Sequence, residues 1–181
     1  VAKDGRIVWV ASSATPRFAP DGSFRGFRGV DIDITARKRA EDALRESEER
    51  FAQSARQSRT YLWEVDPDGL YTFVSPVVAD VLGYRPDEIV GRMHFYDLFP
   101  PERRAEFRES VSATIARRES FRDYENPCLA KDGRVVWVIT SAIPLLDAAG
   151  ALRGYRGSDT DITERKRAED ALRESEAQRR A

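Results

Sequence analysis

The chain has 181 residues, of which 41% are hydrophobic and 34% are charged, and its formal net charge is −1. This length suffices for one or two ordinary domains. The near-zero net charge leaves no long-range field to attract nucleic acid or an anionic membrane, so we expect neither as a partner. The single cysteine, Cys128, excludes an internal disulfide framework and a cysteine-based metal cluster, and it fits a reducing compartment.

A repeated segment is the first feature along the chain. Residues 3–48 match residues 131–176 at 31 of 46 positions by direct count, without a gap. Each copy runs from a predicted strand pair through Asp-Ile-Thr into a charged helix, and only the second copy follows a full domain's worth of sequence. We therefore interpret the chain as a piece of a tandem array, with one complete domain and a fragment of another.

Neither a signal peptide nor a transmembrane run is present in the sequence. Together with the single cysteine, this favours a cytoplasmic location. The parent protein could still carry a membrane anchor outside this fragment.

The charged helix after the first copy carries a weak heptad seam, because Ala40, Leu44, Ser47 and Phe51 recur at spacings of four, three and four. The second copy repeats this register at Leu172. A lone helix this polar is marginal in water. We predict parallel dimerisation through Leu44, Phe51 and Leu172; support by domain contacts and a solvated spacer helix are the alternatives.

The complete unit begins with a predicted hairpin and continues with helices. Residues 61–65 and 70–74 have strand character and flank the turn sequence Asp-Pro-Asp-Gly. Ser75-Pro76 is typical of a helix start, and Gly83 of its end. A short helical turn at 86–91 and a longer helix from Glu102 to about Arg118 follow.

Three long strands are predicted next, at 121–129, 134–146 and 151–160, joined by ordinary hairpin turns. This order predicts an α+β fold with a five-stranded antiparallel sheet that carries its helices on one face. Both faces of the strand from Arg134 are largely apolar, so we expect the flanking helix or a partner subunit to cover the outer face. The alternative is an edge-tolerant strand with scattered exposed apolar residues.

These elements resemble a PAS domain with its C-terminal PAC segment, of the tandem sensory type found in bacterial signalling proteins. The resemblance covers nearly the whole chain. It is carried by Tyr61-Leu62-Trp63-Glu64-Val65-Asp66, Phe73-Val74-Ser75-Pro76, Glu88-Ile89-Val90-Gly91, Lys131-Asp132-Gly133-Arg134, Gly154 to Gly157 and Asp161-Ile162-Thr163.

The resemblance implies a division into four segments. Residues 1–34 would be the last two strands of an incomplete upstream PAS domain, 35–58 a linker or signalling helix, 59–162 a complete domain, and 163–181 a second signalling helix. An isolated two-stranded hairpin is marginal at best. Residues 1–30 are thus expected to be frayed, packed on a neighbour or swapped into a partner's sheet.

In this family the Asp-Ile-Thr element links the sheet to the signalling helix. Carried over, Asp161 and Thr163 would bond backbone or basic groups at the sheet end and so set the exit angle of the helix. Asp33 and Thr35 match the same motif. Ordinary strand-end and helix-cap residues would make the same bonds.

No cofactor is predicted. The Asn-Cys-Arg motif of flavin-binding LOV domains is absent, and Cys128 falls on a predicted strand. His94, the only histidine, precedes the long helix on which haem-binding PAS proteins place their axial ligand, so haem ligation is disfavoured. One histidine also cannot build a multi-ligand metal site without a carboxylate cluster, and no catalytic motif is recognisable.

A small-molecule pocket between sheet and helices is common in the family, although simple core filling explains the same apolar side chains. Its candidate lining residues are Val74, Val78, Leu82, Phe95, Leu98, Phe107, Val111 and Trp137. The predicted function is a sensory module that relays a signal to a missing output domain, such as a histidine kinase or diguanylate cyclase. A non-sensing dimerisation scaffold is the alternative, and a haem or flavin sensor is third.

Overall fold

The computed structural model describes residues 5–180 and, within that range, every side chain except those of residues 106, 110, 112–116 and 180. The predicted fragment 1–34 therefore begins, and the predicted helix 163–181 ends, outside the described residues. The chain forms two units, which meet in sequence between Ala52 and Gln53. This boundary falls inside the segment predicted as a linker helix.

The first unit contains a two-stranded antiparallel sheet and most of a long helix. Strands β1 (Val10–Phe18) and β2 (Phe24–Asp33) pair with each other, and helix α1 (Thr35–Gln57) follows. The apolar side chains of the hairpin are exposed on both faces. The strands are therefore paired, but the unit has no buried core among its described residues.

The second unit contains a five-stranded sheet. Its strands are β3 (Thr60–Val65), β4 (Tyr71–Val74), β5 (Phe121–Leu129), β6 (Val135–Leu146) and β7 (Leu152–Asp161). They lie in the order β4-β3-β7-β6-β5, and every neighbouring pair is antiparallel. This confirms the predicted α+β fold class.

Helices occupy the segment between β4 and β5, here called the helical middle, and a further helix follows the sheet. They are α2 (Val78–Leu82), α3 (Pro86–Ile89), two 3₁₀ turns (Phe95–Leu98 and Pro101–Arg103), α4 (Arg104–Arg117) and, after the sheet, α5 (Thr163–Arg180). The long helix predicted from Glu102 begins two residues later, because its first turn is 3₁₀. Ser75 does not cap α2; its hydroxyl instead accepts the Leu62 amide at 2.9 Å, which ties the helix entry to β3.

The core lies between one face of the sheet and the helical middle. Strand β3 alternates in burial along its length, as expected when one face is covered. Tyr61, Val78, Leu82, Ile89 and Val138 are each buried to 0% exposure. In the part of the chain that the structure describes, none of the helices combines the length and apolar character that crossing a membrane requires.

Candidate functional site

A cavity of about 110 Å³ lies within the second unit, between the sheet and the helical middle. Most of its walls are apolar. The aromatic and aliphatic lining residues are Trp63, Val65, Tyr71, Phe95, Leu98, Phe99, Phe107, Val111, Phe121, Tyr124 and Tyr155. Among them, Tyr124 is 43% exposed.

The sheet supplies a polar floor to this cavity. The lining residues Asp159, Thr140 and Asn126 are buried. The Asp159 carboxylate accepts the Tyr61 hydroxyl at 2.7 Å and the Trp63 indole N–H at 2.9 Å. The Thr140 hydroxyl donates to the Asn126 amide oxygen at 2.9 Å. The floor residues and their hydrogen-bond donors therefore come from four strands, β3, β5, β6 and β7.

Burial governs the proton affinities in this cluster. It raises the pKa of Asp159, and the hydrogen bonds from Tyr61 and Trp63 offset only part of that rise. Burial likewise raises the pKa of Tyr61 and, in the lining, of the Cys128 thiol. Cys128 thus resists forming the thiolate that reactive cysteines need.

Of the eight residues predicted to line a pocket, four line this cavity: Phe95, Leu98, Phe107 and Val111. Val74, Val78 and Leu82 are buried in the adjoining core instead. They belong to the packing that supports the cavity and are not part of its lining.

The placement of Trp137 in the pocket was wrong. Trp137 is half-buried and alternates with the buried Val136 and Val138, so it lies on the opposite face of β6. There the Lys166 ammonium lies 5.2 Å from the centre of its ring. Both faces of β6 are apolar, and the sequence pattern alone could not choose between them.

Sequence reasoning missed the polar floor. The alternation of β7 was a usable signal, because Tyr155, Gly157 and Asp159 are spaced two apart and share a face. A charged residue on a strand is normally assigned to the surface. The donors that make burial of Asp159 tolerable, Tyr61 and Trp63, are nearly a hundred residues away in sequence.

The Asp-Ile-Thr exit is held at the end of the sheet by its two polar side chains, those of Asp161 and Thr163. Asp161 accepts the Thr163 amide at 2.9 Å and the Arg59 guanidinium at 2.8 Å. The Thr163 hydroxyl accepts the Trp137 amide at 3.0 Å. Arg59 also donates to the Asp80 carbonyl of α2. The exit is therefore bonded to β6, to the start of β3 and to the helical middle.

These bonds change the proton affinity of Asp161. Burial raises its pKa, but the Thr163 hydroxyl and amide together with Arg59 outweigh burial, so the pKa lies below its usual value. Asp161 is ionised at neutral pH. The charge on the exit is therefore permanent under ordinary conditions.

The first copy of the motif makes corresponding bonds. Asp33 accepts the Thr35 amide at 2.8 Å, and the Thr35 hydroxyl accepts the Trp9 amide at 2.8 Å. Asp33 and Thr35 thus join β1 and β2 to α1 as Asp161 and Thr163 join the sheet to α5. Their coupling to a signal stays a prediction.

A second contact ties α5 to the sheet through Glu125 of β5. The Glu125 carboxylate pairs with both Arg165 and Lys166. The Lys166 ammonium, followed by the Arg165 guanidinium, lowers the pKa of Glu125. Glu125 lies between Tyr124 and Asn126, which both line the cavity. One strand therefore presents the cavity lining on one face and the helix contact on the other.

A model of the family described as PAS fold matches residues 55–167. The chain belongs to the PAS-fold family. The match covers β3 to the first turn of α5, and so includes the cavity and the Asp161–Thr163 exit of the PAS domain. It does not extend over the first copy of the repeat.

Relatives of this PAS chain include sensor proteins. It is 27% identical to the methyl sulfide methyltransferase-associated sensor of Methanosarcina acetivorans, over 94% of the chain and 18% of the relative. It is 27% identical, with a TM-score of 0.56, to the structure of a sensory box histidine kinase/response regulator from Burkholderia thailandensis, covering 72% of this chain and 98% of that one.

The fold is shared with more distant PAS structures. The N-terminal domain of a diguanylate cyclase with a PAS/PAC sensor from Marinobacter aquaeolei is 15% identical, with a TM-score of 0.53, over 59% of this chain and 98% of that one. The chain spans about a fifth of the length of the first curated relatives that it matches.

The three residues of the predicted dimer seam are exposed on the helices that flank the PAS domain. Leu44, Phe51 and Leu172 are each about 60% exposed. They are apolar side chains on otherwise polar helices. Dimerisation through them stays a prediction.

His94 lies outside the cavity lining of the PAS domain. Its amide donates to the Asp97 carboxylate at 2.8 Å, and its ring stacks on Tyr96. These contacts place it at the start of a 3₁₀ turn, as a capping residue. Among residues 5–180, no cluster of three or more His, Cys, Asp or Glu side chains has the arrangement of a metal site.

Proposed function

We propose that the PAS domain is a sensory module that converts occupancy of its cavity into a change at the exit helix α5. The observation that supports this most directly is the two-sided role of β5. Tyr124 and Asn126 line the cavity, and Glu125 between them holds the start of α5. A shift of this strand on ligand binding would change both surfaces together, because a strand moves as a unit.

Strand β7 offers a second connection between the cavity and α5 in the same proposal. Asp159 lies in the cavity floor, and Asp161, two residues on, carries the exit bonds to Arg59 and Thr163. A ligand that draws Asp159 toward the cavity would strain those bonds. Two strands thus connect one cavity to one helix, which supports a relay of the kind that shifts helices at an interface.

The output in this proposal belongs to a domain of the parent protein. The relatives named as a sensor and as a sensory box histidine kinase support a signal-transduction role. A histidine kinase or a diguanylate cyclase is the proposed partner, and catalysis is assigned to it and not to the PAS domain. The repeat supports a tandem arrangement in which a second PAS unit precedes this one.

The relay is tested by hydrogen exchange of the α5 amides. We expect Glu125→Gln to raise exchange across the first turns of α5, because it removes the charge that holds Arg165 and Lys166. Glu119→Gln is the matched control, since Glu119 pairs with Arg117 instead. Equal exchange in the two variants would show that Glu125 does not hold the helix.

The sensory step is tested on the freshly purified chain by native mass spectrometry with an absorption spectrum of the same sample. We expect a co-purified small mass whose removal changes exchange in α5. Colour in the sample would instead favour a haem or flavin sensor. A bound mass whose removal leaves α5 unchanged would contradict the relay.

The exposed seam favours a second candidate, a dimerisation scaffold that keeps helices paired without sensing. Leu44→Glu combined with Leu172→Glu should lower the fraction of homodimer in sedimentation equilibrium, because it puts like charges into an apolar contact. Glu48→Gln, on the same helix as Leu44, is a control that leaves the seam residues in place. A mass unchanged by the double substitution would rule the seam out.

A further inference from the structure

The cavity in the PAS domain contains a buried acid that lacks a basic neighbour. Asp159 is 5% exposed, and both of its hydrogen-bond donors, the Tyr61 hydroxyl and the Trp63 indole, are neutral. Among the described lining residues there is no Lys, Arg or His. Neutral donors satisfy hydrogen bonds but do not neutralise charge, and an uncompensated buried carboxylate is costly.

The walls around Asp159 suit a cation as well. Trp63, Tyr71 and Tyr155 line the cavity together with several phenylalanines. The faces of aromatic rings carry negative potential and attract organic cations, most strongly where water is excluded. An anion would be repelled by Asp159, and a neutral apolar ligand would leave its charge as costly as before.

The size of the cavity limits the ligand. Its volume is about 110 Å³, which is near that of an engineered apolar cavity of about 150 Å³ that binds benzene. A ligand with one ring or a short alkyl body fits this space. Its polar group must lie at the floor, because the other walls are apolar.

We propose that this cavity binds a small primary amine in its ammonium form, with the ammonium donating to Asp159 and the apolar body against the aromatic walls. The proposal rests on the sensory role proposed above and gives that role a ligand class. Asp159 would then be the residue that determines specificity for cations.

Isothermal titration calorimetry with three probes of similar shape tests the charge preference. The probes are benzylamine, benzyl alcohol and benzoate, at neutral pH. We expect benzylamine to bind about tenfold or more tightly than benzyl alcohol, since a hydrogen bond between charged groups exceeds a neutral one, and benzoate to bind most weakly. This comparison uses the unaltered chain, so it does not depend on a variant that folds.

Variants then assign the preference to Asp159. Asp159→Asn should reduce benzylamine binding to the level of benzyl alcohol. Asp31→Asn is the matched control, because Asp31 occupies the same position in the first copy and is exposed. Equal binding of benzylamine and benzyl alcohol, absence of benzylamine binding at millimolar concentration, or a preference that survives in folded Asp159→Asn would each overturn the proposal.

Hydrogen exchange separates this proposal from the sensory role. If benzylamine binds selectively and the α5 amides do not respond, the amine site stands and the relay fails. If α5 responds to benzyl alcohol as strongly as to benzylamine, at equal affinity, the relay stands and the preference for amines fails.

Discussion

The two copies of the repeat form the same hairpin, yet their side chains have different surroundings. Val10 pairs with Asp33 as Val138 pairs with Asp161, and each hairpin has a register shift near its turn. Val10 is 51% exposed, whereas Val138 is completely buried. Pairing therefore follows from the repeated sequence, and burial does not.

What the second copy has in addition is the rest of a domain. Strands β3 and β5 flank its hairpin, and the helical middle covers one face. Tyr155 is consequently buried in the lining of the cavity, while Phe27, its counterpart, is 69% exposed. The comparison separates the stability that comes from pairing two strands from the stability that comes from packing against β3, β5 and the helical middle.

Glycine 154 gives the largest expected difference between the copies. It has φ +143°, and a Cβ there would collide with the Val65 carbonyl of β3. At the equivalent Gly26, with φ +110°, nothing lies within 4 Å. Gly154→Ala should lower the free energy of unfolding of the PAS domain by about 3 kcal/mol or more, since backbone strain and overpacking add.

The measurement is urea unfolding followed by circular dichroism. Gly26→Ala, the matched control, should leave the unfolding midpoint of the PAS domain unchanged despite its own backbone strain. A similar loss of stability in both variants would mean that local conformation, and not the contact with β3, determines the cost.

Valine offers the same test with an identical residue in both copies. Val138→Ala should cost about 2–3 kcal/mol, because it removes buried methyl groups and leaves a cavity. Val10→Ala should change stability by less than about 0.5 kcal/mol, as expected for an exposed site. Thermal unfolding of the two variants beside the parent chain measures the difference. Equal shifts in melting temperature would contradict the burial described for Val138.

The order and type of the main elements were predictable from the sequence. Strand β5 was predicted with its observed limits, because the predicted long helix ends just before it and the Lys131-Asp132-Gly133 turn follows it. Helix α4 was predicted to begin two residues too early. Pro100-Pro101 favours the start of a helical segment, but it does not indicate whether the first turn is 3₁₀ or α-helical. Local chemistry fixes where an element lies more firmly than how its ends are formed.

The cavity was predictable only in its apolar part. Phe107 and Val111 follow helical spacing toward the sheet, and both line the cavity. Trp137 was assigned to the wrong face and Asp159 was not predicted as a site residue, because both positions depend on contacts between distant segments. Tyr61 and Trp63 make the burial of Asp159 possible, and Lys166 covers Trp137. Alternation along a strand does not reveal such partners.

Asp159 gives a difference between the copies that depends on pH. Its pKa is raised by burial, so the native state holds this proton more tightly than the unfolded chain does. The stabilisation is complete below about pH 4, near the ordinary aspartate pKa, and is lost as pH rises through the native pKa. Tyr61, Tyr71 and Cys128 face the same carboxylate, and their raised pKa values place their own titration higher.

Asp159→Asn should therefore become progressively more stable than the parent chain as pH rises above about 4. The gain is up to about 1.4 kcal/mol per pH unit between the ordinary aspartate pKa and the native pKa of Asp159. Urea unfolding at a series of pH values measures this difference, with Asp31→Asn as the control at the exposed counterpart. A constant difference across pH would mean that Asp159 is ionised in the native state without cost. If instead the variant gains stability at neutral pH while losing its preference for benzylamine, the carboxylate weakens the fold and serves binding, as expected of a functional residue.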